Sequence, residues 1–143
     1  ASLALAPGNP AALYTQGLVY YWQGKLDDSL ATLRQVADHA PAEYDCPFLN
    51  PRNDIEINGD IGYVLYEQGD LAAAIERYDE TLRLYPDWYL GYYYRALAHA
   101  KGGRPQDALV DFQRALDRAP DEDSKNLVQV EIDKLLFPSP TPR

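Results

Sequence analysis

The chain has 143 residues, of which 46% are hydrophobic and 24% are charged, and 22 acidic against 13 basic side chains give it a net charge of −9. This composition indicates a folded protein of about one domain and argues against a disordered chain. An acidic surface repels phosphate groups, so the composition also argues against binding to nucleic acid.

The cysteine content and the lengths of the apolar runs exclude further classes of protein. Cys46 is the only cysteine, which excludes an intrachain disulfide bond and a cysteine metal cluster. The sequence contains no apolar run long enough to span a membrane and no charged-then-apolar leader, so we expect a cytoplasmic protein without membrane contact. Methionine is absent even from position 1, from which we expect processing or excision from a longer protein.

The N-terminal third is predicted to contain one helix–turn–helix repeat, residues 10–43. Asn9 as N-cap and Pro10 at the first helical position begin a helix that runs to about Gln23, and a second helix covers 26–39. Pro7 precedes Pro41 by 34 residues, so residues 1–9 are predicted to be the end of a truncated preceding repeat. A chance match over so few residues stays open as the alternative.

Residues 44–54 are predicted to form an insertion loop, because the spacing between Pro41 and Pro86 exceeds 34 residues by 11 and the surplus contains Pro47 and Pro51. A lid with a function is one interpretation, and a tolerated insertion in a surface turn is the more common one.

The rest of the chain is predicted to hold two further repeats and a final helix. The predicted segments are repeat 2 at 55–88 with helices 55–68 and 71–85, repeat 3 at 89–122 with helices 88–101 and 105–118, a capping helix at 123–136, and a proline-rich tail at 137–143. Repeats 2 and 3 carry one pattern twice, 34 residues apart, which indicates stacked units that cannot bury their apolar faces alone.

This pattern resembles the tetratricopeptide repeat family, and the resemblance implies an all-α fold, a right-handed α-α superhelix (solenoid) of three helix–turn–helix repeats plus a C-terminal capping helix. The family's small residues at positions 8 and 20 of the repeat correspond to Gly17 with Ser29, Gly62 with Ala74, and Ala96 with Ala108. The large residue at position 24 corresponds to Leu33, Tyr78 and Phe112. The family's usual large residues at positions 4 and 7 are replaced in part, for example by Asn58 and Arg95.

The first helix of each repeat carries a second stripe of side chains, and the resemblance implies that this face lines a concave groove. The predicted peptide-binding residues are Tyr14, Leu18, Tyr21, Trp22, Tyr63, Tyr66, Tyr93 and Leu97. Tyrosine suits such a face because it combines a wide apolar ring and a hydroxyl with few torsions to freeze. The alternative is that some of these rings pack on neighbouring repeats or on the 44–54 loop.

Some members of the family bind the carboxylate tails of heat-shock chaperones through lysine, asparagine and arginine side chains. The matching positions here are Tyr14, Leu18, Asp60, Leu90 and Tyr94. None of them supplies a cation or an amide, so we do not expect this mode of binding.

Catalysis is not predicted. The two histidines, His39 and His99, have no nucleophile or metal-binding motif nearby in sequence, and His99 is predicted to be a packing residue. We therefore expect no enzyme activity, no metal and no cofactor. The leading hypothesis is a scaffold that binds a peptide segment of a partner protein in an aromatic groove, and the alternative is self-association through an uncapped N-terminal end.

Overall fold

The computed structural model describes residues 9–39 and 53–140, and every regular element within those ranges is an α-helix. The helices are α1 (Pro10–Trp22), α2 (Leu26–His39), α3 (Asn53–Gln68), α4 (Leu71–Leu84), α5 (Tyr89–Lys101), α6 (Pro105–Arg118) and α7 (Glu122–Leu136). Each predicted helix is present, with bounds within about two residues of those expected from the sequence. None of these helices combines the length and the apolar character that crossing a membrane requires.

The start of α3 corrects the predicted insertion loop. The helix begins at Asn53, so residues 53 and 54 are helical rather than part of a 44–54 loop. Asparagine and aspartate are favourable residue types at a helix start, where the positive end of the helix dipole lies. A proline restricts its own backbone and that of the preceding residue, so Pro51 does not prevent a helix from beginning at Asn53. Residues 44–52 and 1–8 lie outside the described residues, so the loop itself and the truncated repeat stay predictions.

Glycines end the first helix of each pair in the same way. Gly24, Gly69 and Gly103 have φ angles of 75°, 85° and 76°, a conformation that side chains rarely adopt. The N–H of Gly24 donates to the Tyr21 carbonyl at 2.9 Å, and the next N–H donates to Tyr20, also at 2.9 Å. The same pair of hydrogen bonds follows Gly69 and Gly103. This closing motif satisfies the last carbonyls of the helix and reverses the chain.

The chain divides into two compact units, Ala1–Arg77 and Tyr78–Arg143, with the boundary inside α4. In the first unit, α1 and α2 cross at Gly17. The buried Ser29 hydroxyl donates to the Gly17 carbonyl at 2.8 Å, and a Cβ at Gly17 would lie 2.8 Å from Leu33 Cδ2. The buried hydrophobic residues of this unit include Leu30, Leu33, Val36, Ile57, Ile61, Val64, Leu65 and Ala74.

In the second unit, α5 and α6 cross at Ala96 and Ala108, which are both fully buried. Phe112 is 1% exposed, and Val128 and Ile132 of α7 belong to the same core. The predicted role of α7 as a cap agrees with this packing, because the helix covers an apolar face of α6 that would otherwise contact water. After α7 the described residues are not helical, and Phe137 is exposed.

Candidate functional site

A pocket of about 230 Å³ opens in the first unit between α1 and α3, with one residue of α2 at its base. Its lining is Tyr14, Leu18, Tyr21, Trp22, Leu33, Asp60, Tyr63 and Val64. Leu33 and Val64 are buried core residues, so the floor of the pocket belongs to the packed interior. The walls are aromatic rings that reach the surface.

The rings form a continuous series of contacts. Tyr21 meets Trp22 edge-on, with ring centroids 5.4 Å apart, and lies 6.0 Å from Tyr63, which stacks on Tyr66 at 5.8 Å. Helical steps of three and four residues place the members on one face of α1 and one face of α3. Trp22 is 82% exposed, so a large apolar ring stands in solvent beside the pocket mouth.

The charged side chain that lines the pocket is the carboxylate of Asp60. The Tyr14 hydroxyl donates a hydrogen bond of 2.6 Å to Asp60 Oδ2, joining α1 to α3. Burial, and to a lesser extent Glu56 one turn earlier, raises the pKa of Asp60, whereas the Tyr14 hydrogen bond opposes the rise. Among the described residues, no lysine or arginine pairs with Asp60.

The tyrosine hydroxyls respond to the same surroundings. Burial and the neighbouring Asp60 raise the pKa of Tyr14. Burial, Tyr21 and Glu67 raise the pKa of Tyr63. Both hydroxyls therefore stay protonated at neutral pH, and the pocket combines neutral hydroxyls, aromatic faces and one carboxylate.

The predicted site residues divide between the two units. Tyr14, Leu18, Tyr21, Trp22 and Tyr63 line the pocket, and Tyr66 continues the series of rings.

Tyr93 and Leu97 lie in the second unit. Tyr93 is 9% exposed and packs on Phe112, with ring centroids 5.9 Å apart. Leu97 is half-buried against the same core. Tyr93 thus packs within its own repeat, whereas the alternative considered from the sequence was packing on neighbouring repeats or on the 44–54 loop. A role of Tyr93 and Leu97 in peptide binding stays a prediction.

A cluster of charged side chains in the second unit was not predicted from the sequence. Asp111 is buried, with 3% of its side chain exposed, and it accepts hydrogen bonds from Arg95 Nε at 2.7 Å and Nη2 at 2.8 Å. Arg95 also donates to Asp79 at 2.6 Å, and Arg114 donates to Asp111 at 3.2 Å. Two features of the sequence could have indicated this cluster: Arg95 occupies a position where the family usually has an aliphatic residue, and Asp111 directly precedes the core residue Phe112.

His99 adjoins the same cluster and is mostly buried, as predicted for a packing residue. Its Nε2 lies 3.7 Å from Asp111 Oδ2, and 12% of the side chain is exposed. Across residues 9–39 and 53–140, no group of three or more histidine, cysteine or acidic side chains is arranged to hold a metal ion.

Antiparallel helix pairs, small residues at the crossings and glycine turns at matching positions define a helical-repeat protein. Profiles of the tetratricopeptide repeat match residues 60–123 and residues 11–42. The chain belongs to the tetratricopeptide repeat family. Comparison with curated protein sequences gives no match.

Solved structures share the fold at low sequence identity. The translocator chaperone SycD of Yersinia enterocolitica has a TM-score of 0.75 and 13% identity, covering 87% of this chain and 88% of its own. PcrH from Pseudomonas aeruginosa has a TM-score of 0.75 and 16% identity, with 95% and 99% covered. The first repeat domain of Spaghetti (RPAP3), solved bound to the HSP90 peptide SRMEEVD, has a TM-score of 0.68 and 20% identity, with 89% and 90% covered.

Proposed function

We propose that the chain is a protein-interaction scaffold that binds a peptide segment of a partner protein, and that the pocket between α1 and α3 is the centre of the binding surface. The observation that carries this proposal is the series of partly exposed rings around a pocket with a packed floor. Side chains such as Trp22 cost free energy when they stand in water, and their contact with a partner recovers it.

The size of the pocket favours a peptide over a small molecule. Pockets for drug-sized ligands usually measure about 300–1,000 Å³, whereas this one measures about 230 Å³. Such a volume suits one side chain of a peptide, and the flanking rings of Trp22 and Tyr66 would contact the residues on either side of it. Recognition through one anchor and its neighbours is typical of peptide binding.

Proteins of the same fold support this proposal. PcrH was solved with the chaperone binding region of PopB, and SycD with a peptide of the translocator YopD. The Spaghetti domain was solved with an HSP90 peptide. Each of these relatives binds a segment of another protein. We propose the same class of activity here, with a different pocket chemistry, because Asp60 and Tyr14 stand at positions where a clamp for a carboxylate tail needs a cation or an amide.

A display library of dodecapeptides, selected on the immobilised protein, tests the proposal. We expect the selected peptides to bind the unmodified protein in solution. Tyr21→Ala combined with Tyr66→Ala should weaken that binding while leaving helicity and the melting temperature nearly unchanged. The matched control is Tyr20→Ala combined with Tyr85→Ala, which removes two tyrosines that do not line the pocket. If the pocket variant and the control bind the selected peptides as tightly as the unmodified protein, the proposal is wrong.

The second candidate function is a structural one, self-association through the N-terminal end of the first repeat. SycD, with which this chain shares its fold, was solved in an alternative dimer. Residues 1–9 are proposed to mediate the contact. Their deletion should then change the solution mass measured by light scattering across a wide concentration range, and an unchanged mass would exclude this candidate.

A further inference from the structure

The residues that line the pocket also indicate the charge of the group that would bind there. Its carboxylate, Asp60, is held in place by the Tyr14 hydroxyl through a 2.6 Å hydrogen bond to one oxygen. A carboxylate can accept hydrogen bonds at both oxygens, and the ordinary partner of a partly buried carboxylate is a cation. Asp60 has no such partner among the described residues.

The surroundings of Asp60 are acidic and aromatic. Glu56 acts on Asp60, and Glu67 acts on Tyr63. Lys25, which follows α1, has its ammonium 5.8 Å from the centre of the Tyr20 ring, and neither residue lines the pocket. An incoming anion would meet uncompensated repulsion, whereas an incoming cation would meet opposite charge.

The walls favour a cation as well. The faces of Tyr21, Tyr63 and Trp22 carry partial negative charge, which attracts a cation placed over them. A guanidinium group is the better fit among natural cations, because it is flat, stacks on aromatic rings and is more weakly hydrated than an ammonium group. The apolar floor at Leu33 and Val64 suits the methylene stem of the same side chain.

We propose that the pocket between α1 and α3 receives an arginine side chain of the bound peptide, with Asp60 as its charge partner and the rings of Tyr21 and Tyr63 as its walls. This inference rests on the proposed peptide-binding function and names the chemistry of the anchor residue. The raised pKa of Asp60 agrees with it, because a carboxylate in this state gains from the arrival of a cation.

Four pools of degenerate heptapeptides test the inference, with the central residue fixed as arginine, lysine, norleucine or glutamate. Binding is followed by NMR through the indole N–H of Trp22, assigned with the Trp22→Phe variant. The second tryptophan, Trp88, lies in the other unit and serves as an internal reference. We expect the arginine pool to bind about tenfold more tightly than the norleucine pool, the lysine pool to fall between them, and the glutamate pool to give no shift.

The Asp60→Asn variant separates charge from shape, since an asparagine oxygen can still accept the Tyr14 hydrogen bond. It should reduce binding of the arginine pool to the level of the norleucine pool. Added salt, which should weaken the binding of the arginine pool to the unmodified protein by screening the charges, should no longer weaken binding to this variant. Asp38→Asn changes the net charge equally at an exposed position that does not line the pocket, and it should leave binding unchanged. Circular dichroism and the melting temperature verify that each variant is folded.

The outcomes distinguish the two proposals. Norleucine binding as tightly as arginine, or Asp60→Asn leaving arginine binding intact, would overturn the arginine anchor while keeping peptide binding. A larger effect on Trp88 than on Trp22 would place the site elsewhere and overturn the anchor. If no pool shifts Trp22 at millimolar concentration, both the anchor and the proposed peptide site are wrong.

Discussion

Two carboxylates withdrawn from solvent, Asp60 in the first unit and Asp111 in the second, are treated in opposite ways by the fold. Asp111 accepts two hydrogen bonds from Arg95 and a third from Arg114. Asp60 accepts one hydrogen bond from the uncharged hydroxyl of Tyr14, and the charge that acts on it belongs to another carboxylate, Glu56. Asp111 is neutralised by arginines of its own unit, whereas no cation in the described part of the chain neutralises Asp60.

The two units show that one repeat pattern can pack its groove-side ring and pair its carboxylate in one unit, and leave a pocket beside a carboxylate in the other. In the second unit, Arg95 joins α5 to α6 through Asp111 and to α4 through Asp79, and its hydrogen bonds with these carboxylates raise the pKa of the guanidinium. The ring that lies at the predicted groove position, Tyr93, is packed in the core. In the first unit, no lysine or arginine among the described residues pairs with Asp60, and a pocket adjoins this carboxylate.

The largest effect is expected from Asp111→Ala. Removing one partner of a buried ion pair leaves the other charge uncompensated, and such changes cost about 3–5 kcal/mol of stability. The free energy of unfolding from urea denaturation measures this loss. Asp79→Ala is the matched control, because Asp79 bonds the same arginine but is 48% exposed, and exposed pairs contribute about 0.2–1 kcal/mol. Equal losses in the two variants would show that Asp111 is no more structural than a surface carboxylate.

The next effect concerns how tightly the helices cross in the two units. A methyl group at Gly17 would approach Leu33 Cδ2 to 2.8 Å, whereas Ala96 already holds a methyl group at the same repeat position. Gly17→Ala should therefore destabilise the protein by about 1–3 kcal/mol through overpacking.

The reciprocal change, Ala96→Gly, should cost about 1 kcal/mol through the flexibility of glycine in a helix. Gly102→Ala serves as control, because Gly102 has a φ of −81° that alanine tolerates. If Gly17→Ala were neutral in urea denaturation, the crossing in the first unit would have room to spare and the structural contrast would fail.

The sequence was sufficient to predict the elements and much of the packing. Helical periodicity, turn glycines and the recurrence of small residues depend on local geometry, and Gly17 and Ser29 do meet at a helix crossing. Side-chain partners were harder to predict, because the same stripe of the first helix holds Tyr63 beside a pocket in one repeat and Tyr93 in a core in the next. Which one is covered depends on the side chains that oppose it, such as Phe112, and periodicity does not carry that information.

The charged cluster around Asp111 is a second case in which the sequence did not give the side-chain partners. Arg95 was noticed only as a departure from the family pattern, and Asp111 was not singled out. Pairing them requires knowing that α5 and α6 present these two positions to each other at hydrogen-bonding distance, which is a property of the packed helices rather than of either helix alone.

The smallest effect is a change in the pH dependence of stability on Asp60→Asn. The folded protein raises the pKa of Asp60 above its ordinary value of 3.8. Between those two pKa values the folded state binds more protons at this site than the unfolded state, so the contribution of Asp60 to stability falls as the pH rises. Above the raised pKa, the cost of keeping the carboxylate charged inside the pocket is fully present.

Asparagine has no such titration, so the variant should gain stability relative to the unmodified protein as the pH rises from below 3.8 through the raised pKa, and should be at least as stable at pH 7. Urea midpoints at a series of pH values measure the difference, with Asp38→Asn as the charge-matched control. A loss of stability at pH 7 would mean that Asp60, like Asp111, holds the fold together. A gain would mean that the first unit retains an unfavourable charge inside its pocket, as expected where stability is given up for binding.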